Sequence, residues 1–283
     1  MLLLGAHFSI AGGLHEAPLM AGRYGCTALQ LFTKNSNTWK ERIVTDEEIV
    51  RFREVCEKVG IRAVASHAAY LINLASPEPP KHHMSKEALI HELQRSAGLQ
   101  IPYVVLHPGA HMDSGEEQGC LRIAETINEI FDRIPPSRTR LLLETTAGQG
   151  SNIGYTFEQL ALMVENIGDK DRIGFCFDTC HVFAAGYDIR TPNAYAKTME
   201  KFDEILGLKN LCLIHLNDSK KELGSRIDRH EHVGKGMIGT AAFKEIMNDK
   251  RLETIPKILE TPKGKGEIDY DAINLKVLRD MVA

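Results

Sequence analysis

Eight short apolar or β-rich runs divide this chain into a regular series, at residues 2–8, 27–33, 62–67, 103–107, 140–144, 173–178, 211–216 and 256–260. Between them lie segments with helical periodicity and helix-start signals. Thr45-Asp46-Glu47-Glu48 and Thr156-Phe157-Glu158-Gln159 read as capping boxes, and the first of these helices stops at Gly60. Ser85 opens a helix over 86–100, and another spans 116–134. Thr191-Pro192 offers an N-cap followed by proline at the first helical position. Thr240 and Asp269 read as the caps of the last two helices. Strand starts recur roughly every 25–45 residues, the period of βα units. No linker or low-complexity stretch interrupts the series, and 283 residues suit a barrel that typically uses about 250. The expected fold is α/β, one closed (β/α)8 barrel domain spanning residues 1–283. A doubly wound open sheet is the alternative.

The ends of the runs narrow the possibilities. The first ends near His7, the third at His67, the fourth at His107, the fifth at Glu144, the sixth at Asp178, the seventh at His215 and the eighth at Glu260. In a barrel all of these lie on one C-terminal rim, where active sites of such barrels sit. One such residue is an ordinary polar cap; a ring of them is not. Uncompensated carboxylates would repel one another, so a cation is required to hold them together. The loops Asp178-Thr179-Cys180-His181 and Asp228-Arg229-His230 add donors. The candidate ligands are then His67, His107, Glu144, Asp178, His181, His215, Asp228, His230 and Glu260, five imidazoles and four carboxylates. Catalytic zinc takes about three protein ligands and keeps one position open, so nine donors suit two or three ions. Nitrogen and oxygen donors without thiolate fit Zn²⁺, with Mn²⁺ or Fe²⁺ as substitutes. Cys180 reads as packed inward. His7 is left open, and His15, His82, His83, His91, His111 and His232 read as surface residues away from the strand ends.

Two metal ions about 3.5–4 Å apart, bridged by a carboxylate and a hydroxide, are suited to in-line attack on a phosphodiester. A third would neutralise charge on the leaving oxygen. Four ligand carboxylates bring −4 and three divalent ions would bring +6, leaving the site positive. The rim loops add Lys34, Lys40, Arg42, Lys220, Lys221, Arg226, Arg229, Lys235, Lys263 and Lys265, against Glu41, Glu222, Glu231 and Glu267. A net charge of −4 excludes a chain-wide basic nucleic-acid binder but allows a local basic face. The six cysteines form no CxxC pair and read as reduced core residues of a cytoplasmic protein. No run approaches the ~18 apolar residues of a membrane span.

Longer motifs sharpen this picture. Phe177-Asp178-Thr179-Cys180-His181, followed by Ala184-Ala185-Gly186-Tyr187-Asp188, resembles a signature of the endonuclease IV family. So does His215-Leu216-Asn217-Asp218-Ser219-Lys220, continuing to Asp228-Arg229-His230 and Gly234-Lys235-Gly236-Met237-Ile238-Gly239. Gly5-Ala6-His7, Leu31-Phe32-Thr33-Lys34-Asn35, Tyr70-Leu71-Ile72-Asn73-Leu74 and His107-Pro108-Gly109 are similar as well, so the resemblance covers essentially the whole chain. It implies a zinc-dependent apurinic/apyrimidinic endonuclease of DNA base-excision repair, working as a monomer on duplex DNA. Such an enzyme cuts on the 5′ side of an abasic site, leaving a 3′-hydroxyl and a 5′-deoxyribose phosphate, and removes 3′ blocking groups. The resemblance also implies a partition: His67, His107 and Glu144 on one zinc, Glu144, Asp178, His215 and Glu260 on a second, His181, Asp228 and His230 on a third. Lys34, Asn35, Tyr70 and Leu71 would meet the DNA, the last two beside the lesion. Asn37 and Ala110 depart from the family, in which some members have Arg at the first position and Ser is common at the second. Metal-dependent sugar isomerases and epimerases share the barrel and a rim of ligands, and are the competing reading. A metal-stabilised scaffold that only recognises damaged DNA is a third.

Overall fold

The computed structural model describes residues 1–264 and 268–283; Lys265 and Glu267 of the rim charge count lie outside the described residues. Eight parallel strands close into a barrel. They are β1 (Leu4–His7), β2 (Ala28–Leu31), β3 (Ala63–His67), β4 (Tyr103–Leu106), β5 (Arg140–Glu144), β6 (Ile173–Asp178), β7 (Leu211–His215) and β8 (Lys257–Leu259). Each pairs with its neighbour in chain order, and β8 returns to β1 with Leu4 opposite Lys257. The open-sheet alternative is thereby excluded. Each expected run contains its strand: two coincide with it, at 140–144 and 173–178, and the other six are trimmed at one or both ends, so that His107 and Glu260 follow β4 and β8 directly.

Strand geometry relates two of the layers that fill the barrel interior. The lower layer holds Ala28, Ala65, Val105, Leu142, Cys176, Leu213 and Ile258, all buried. Side chains on one face of a strand recur every second residue. Two residues on from these seven stand Gln30, His67, His107, Glu144, Asp178, His215 and Glu260. The upper layer of the core is therefore the polar rim itself. On the outside, a larger apolar cluster joins the strands to the surrounding helices.

The helices include α1 (Glu16–Arg23), α2 (Asp46–Val59), α3 (Pro79–Gly98), α4 (Glu116–Arg133) and α5 (Phe157–Glu165). They continue with α6 (Thr179–Ala185), α7 (Pro192–Leu206), α8 (Thr240–Asn248) and α9 (Tyr270–Arg279). The Thr45 capping box is complete, and Gly60 closes α2 in the left-handed conformation at φ 80°. Thr156 caps α5 through Gln159 N, but the Gln159 side chain accepts from Gly154 and Tyr155 N instead of closing the box. Thr191 and Asp269 cap as expected.

Two further expectations are corrected. The third helix starts at Pro79, not at Ser85, because the proline pair supplies its first turn. Ser85 lies inside it, donating to Lys81 O and accepting from Asn73 N, so it anchors the loop that carries Tyr70 and Leu71. Thr240 is the first residue of α8, with Gly239 at the cap. Among the described residues no helix is long and apolar enough to cross a membrane.

Gly5 marks the seam between β1 and β2. A Cβ built there would stand 1.7 Å from the carbonyl oxygen of Ala28. Gly5→Ala should therefore destabilise the fold by about 2–3 kcal/mol, the upper range for overpacking, through displacement of backbone. The urea midpoint should fall with an unchanged slope; a midpoint within error of the parent would mean the seam yields freely.

Candidate metal centre

Backbone rigidity fixes where the rim donors point. His67, Glu144, Asp178 and His215 are the last residues of β3, β5, β6 and β7, and all are buried. Asp178 also acts as a helix cap, its Oδ1 accepting from His181 N at 2.9 Å at the start of α6. That helix, unforeseen in a segment read as a loop, carries His181 inward. His230 arrives by a different route. Asp218–Ser219 and His230–Glu231 form a two-residue antiparallel ladder, with Ser219 opposite His230. Asn217, Asp218 and Ser219, which follow the end of β7, are all buried. The Asp218 carboxylate accepts from the backbone of Gly234, Gly236 and Ile238, which folds the following loop down onto the rim.

The nine candidates form one connected constellation. Glu144 Oε2 lies 3.2 Å from His67 Nε2 and 3.0 Å from His107 Nε2. Its Oε1 lies 2.9 Å from His215 Nδ1 and 3.3 Å from His181 Nδ1. His215 Nδ1 is also 3.3 Å from Glu260 Oε2 and 3.7 Å from Asp178 Oδ2. A further group stands beside these: His181 Nε2 to Asp228 Oδ2 is 3.1 Å, His230 Nε2 to Asp228 Oδ1 is 3.3 Å, and the two Nε2 atoms are 3.4 Å apart. Zinc–nitrogen bonds of 2.0–2.1 Å in a tetrahedron imply ligand atoms about 3.3 Å apart, which these groups approach. Potential ligand atoms of His67, His107 and Glu144 fall within 4.8 Å of one another, as do those of Glu144, Asp178, His215 and Glu260.

The third group holds the strongest demand for a cation. His181 Nδ1 donates to Thr145 O and His230 Nδ1 to Glu260 O. In the neutral rings both Nε2 lone pairs then converge on a carboxylate, three acceptors with no donor. In the metal-free chain a proton on His181 meets part of that demand. Burial alone would raise the Glu144 carboxyl, but His107 and His215 outweigh it and hold it well below the ordinary value. Glu260 is likewise lowered, burial being overcome by His215 and His7. Burial would lower the buried imidazoles, yet Glu144 raises His67, Asp178 and Asp228 raise His181, and Cys176 and Glu260 raise His215. His7 goes the other way: burial keeps it neutral despite Glu260.

Several residues around the site escaped the sequence reading. Gln30 is fully buried and touches His7, His215 and Glu260. A lone amide inside the apolar run Ala28-Leu29-Gln30-Leu31 was the available signal. Asn217 donates to Asp178 Oδ2 and accepts from Glu260 N, bridging two carboxylate positions. Cys176 and Cys180 lie near enough to join ligand groups, Cys176 with Glu144 and His215, Cys180 with Asp228 and His230. Of the histidines set aside, His232 stacks on Tyr270 and His82 bonds to Thr126.

Above the donors opens a cavity of about 730 Å³, lined in part by Tyr70, His107, His181, Lys220, Arg229 and Glu260. Tyr70 is 57% and Leu71 39% exposed. The Tyr70 ring also packs on His67 and His107, at 5.1 and 5.6 Å between centroids. Asn35 is exposed, and its side chain accepts from Asn37 N. Lys34 is not exposed: its ammonium is turned into its own loop, on Thr38 O and Lys40 O. The basic rim is partly neutralised as well. Arg42 pairs with Glu48, Lys263 with Asp271, and Arg226 lies over the Tyr155 ring.

The family described as xylose isomerase-like TIM barrel matches residues 20–281. Probable endonuclease 4 of Geotalea daltonii is 50% identical over 279 residues, 99% of this chain and 98% of that one. The chain belongs to the endonuclease IV family. Its relative in Geobacter sulfurreducens, also a probable endonuclease 4, is 48% identical over 99% of this chain and 94% of that one. The crystal structure of endonuclease IV from Thermus thermophilus superposes with a TM-score of 0.87 at 36% identity, covering 98% of each chain. A D-tagatose 3-epimerase-like protein matches at a TM-score of 0.73 and 19% identity, over 98% of this chain and 96% of that one, and shares the fold alone.

The shifted imidazoles make the metal-free chain sensitive to pH. His67, His181 and His215 sit above the ordinary 6.5 when folded, so folding takes up protons there. Their contribution is fully present below 6.5 and is lost as pH rises through the folded values. His7 and His82, both held below the ordinary value with burial the largest cause, act oppositely. The melting temperature of chelator-treated protein should fall as pH rises above 6.5, while stabilisation by added zinc grows over the same range. A flat or rising profile would contradict the assignment.

Proposed function

We propose that this chain is a zinc-dependent endonuclease of base-excision repair, acting as a single-domain monomer on duplex DNA. It hydrolyses the phosphodiester on the 5′ side of an abasic site and leaves a 3′-hydroxyl and a 5′-deoxyribose phosphate. The oxygen of water bonds to phosphorus, the P–O3′ bond breaks, and the 3′ oxygen departs as a hydroxyl. Trimming of a blocked 3′ end breaks the same kind of bond. The observation that carries this reading is Glu144, whose two oxygens face different imidazole sets, beside a third group of His181, Asp228 and His230. Family membership supports DNA as the substrate.

In this reading His67, His107 and Glu144 would hold one ion, Glu144, Asp178, His215 and Glu260 a second, and His181, Asp228 and His230 a third. Bound zinc, or manganese in its place, would supply Lewis acidity, a water acidified towards neutrality and positive charge for the phosphate. The chain's own residues do the rest. Glu144 ties two ligand groups to one rigid strand end. Tyr70 and Leu71, exposed above them, fill the gap in the base stack while the damaged sugar turns into the cavity. An abasic nucleotide has no base to unstack and is the least costly to extrude. Asn35 and the basic loops contact the backbone. Lys34 supports this surface from beneath, by shaping the loop that presents Asn35.

Metal analysis should find about three ions per chain, mainly zinc, since each catalytic ion needs about three protein ligands. A fully active preparation with one ion would sink the trinuclear reading. Glu144→Gln keeps the size but removes the bridging charge. Its incision rate on an abasic duplex should fall by at least about 10²-fold, with binding weakened less, both measured at one salt concentration. Near-normal incision would remove Glu144 from the centre; ketose epimerisation without incision would favour the sugar-enzyme alternative. Tyr70→Ala combined with Leu71→Ala should erode the preference for abasic over intact duplex without changing metal content. Parallel loss of metal would make the pair structural instead.

A further inference from the structure

Metal-binding imidazoles need one nitrogen free and the other held, and the chain meets this need in two ways. His67, His181 and His230 each donate Nδ1–H to a main-chain carbonyl, at 2.7, 2.9 and 3.1 Å, which leaves Nε2 facing the donors around it. His215 is turned the other way. Its Nδ1 faces Glu144 and Glu260, so the proton must sit on Nε2, deep in the barrel. The acceptor there is a side chain: Gln30 Oε1, at 2.8 Å.

Gln30 pairs in register with His7 and Ala65 on the neighbouring strands, and its amide is fully engaged. Nε2 donates to Glu260 Oε1 at 2.5 Å and to His7 Nδ1 at 3.0 Å. Exchanging the two ends of the amide would set N–H against N–H at His215 and carbonyl against carboxylate at Glu260. Only the orientation described satisfies every partner. In that orientation it leaves His215 Nδ1 and Glu260 Oε2 directed towards the centre they share.

We propose that Gln30 is a positioning residue that selects the coordinating nitrogen of His215 and the coordinating oxygen of Glu260. The proposal rests on the metal-centre reading and adds to it a residue from β2, the one strand that gave no rim acid or imidazole. Hydrogen-bond partners of this kind fix ring orientation and tune the ligands they hold. The other tautomer-setting groups identified are main-chain carbonyls, which substitution leaves in place; Gln30 can be tested directly.

The experiment compares the full-length chain with Gln30→Met, which keeps the volume and removes the amide, by titrating zinc against a chromophoric chelator. One of the bound ions should lose about 10- to 100-fold in affinity while the others keep theirs. Unchanged affinity for every ion would overturn the proposal. So would uniform loss of all ions with a lowered melting temperature of the metal-free variant, which would make Gln30 a packing residue. A second measurement uses the unaltered chain loaded with zinc and needs no variant to fold. ¹⁵N spectra of its histidine side chains should show one ring coordinated through Nδ1, with a slowly exchanging Nε2–H close to the Gln30 side chain. Coordination of all rings through Nε2 would also overturn it. Failure of the unaltered chain to take up any zinc would instead sink the metal-centre reading, before any variant is compared.

Discussion

The two-residue period of a β-strand is the constraint on which this structure depends. A barrel interior must be filled, and its lower layer is filled by Ala28, Ala65, Val105, Leu142, Cys176, Leu213 and Ile258. One step further along each strand the side chain must again point inward. At that height the chain places an amide, imidazoles and carboxylates instead of aliphatic groups. The polar layer is held by the same hydrogen-bonded strands that hold the apolar one, so its donors are preorganised without a dedicated scaffold. Close-packed carboxylates and imidazoles stripped of water are costly unless each meets an opposite charge. Glu144 shows the balance most plainly: buried completely, it touches four imidazoles through two oxygens.

Much of this was legible in the sequence alone. The alternation of apolar runs with capped helices has few compact solutions, and the barrel observed is one of them. The rim donors were visible because each ends an apolar run abruptly, a signal that survives an error of one or two residues in the strand boundary. What stayed hidden were arrangements whose partners are distant in sequence. Gln30 reads as a flaw in an apolar strand until His215 is brought opposite it. Asp218 reads as a turn residue until the amides of Gly234, Gly236 and Ile238 fold onto it. Lys34 reads as a surface cation, whereas local carbonyls draw its ammonium inward. Ser85 looked like a helix start because serine favours caps, but a proline pair upstream had already started the helix.

The three donor groups are not built alike. Those around Glu144 rise from strands and close as the barrel closes. The third depends on α6 for His181 and on the segment around Asp228 and His230, which the barrel does not contain. That segment is secured by a two-residue ladder, by His230 Nδ1 on Glu260 O, by Gln149 accepting from Asp228 N, and by Arg226 N on Ala184 O. Regions held by so few bonds open locally at lower cost than a barrel does. An ion bound there would come and go on a faster clock than one bound between strands. If three ions are held as proposed above, the centre would load in order and unload in reverse, passing through a form that has lost only its outermost ion while the barrel stays closed.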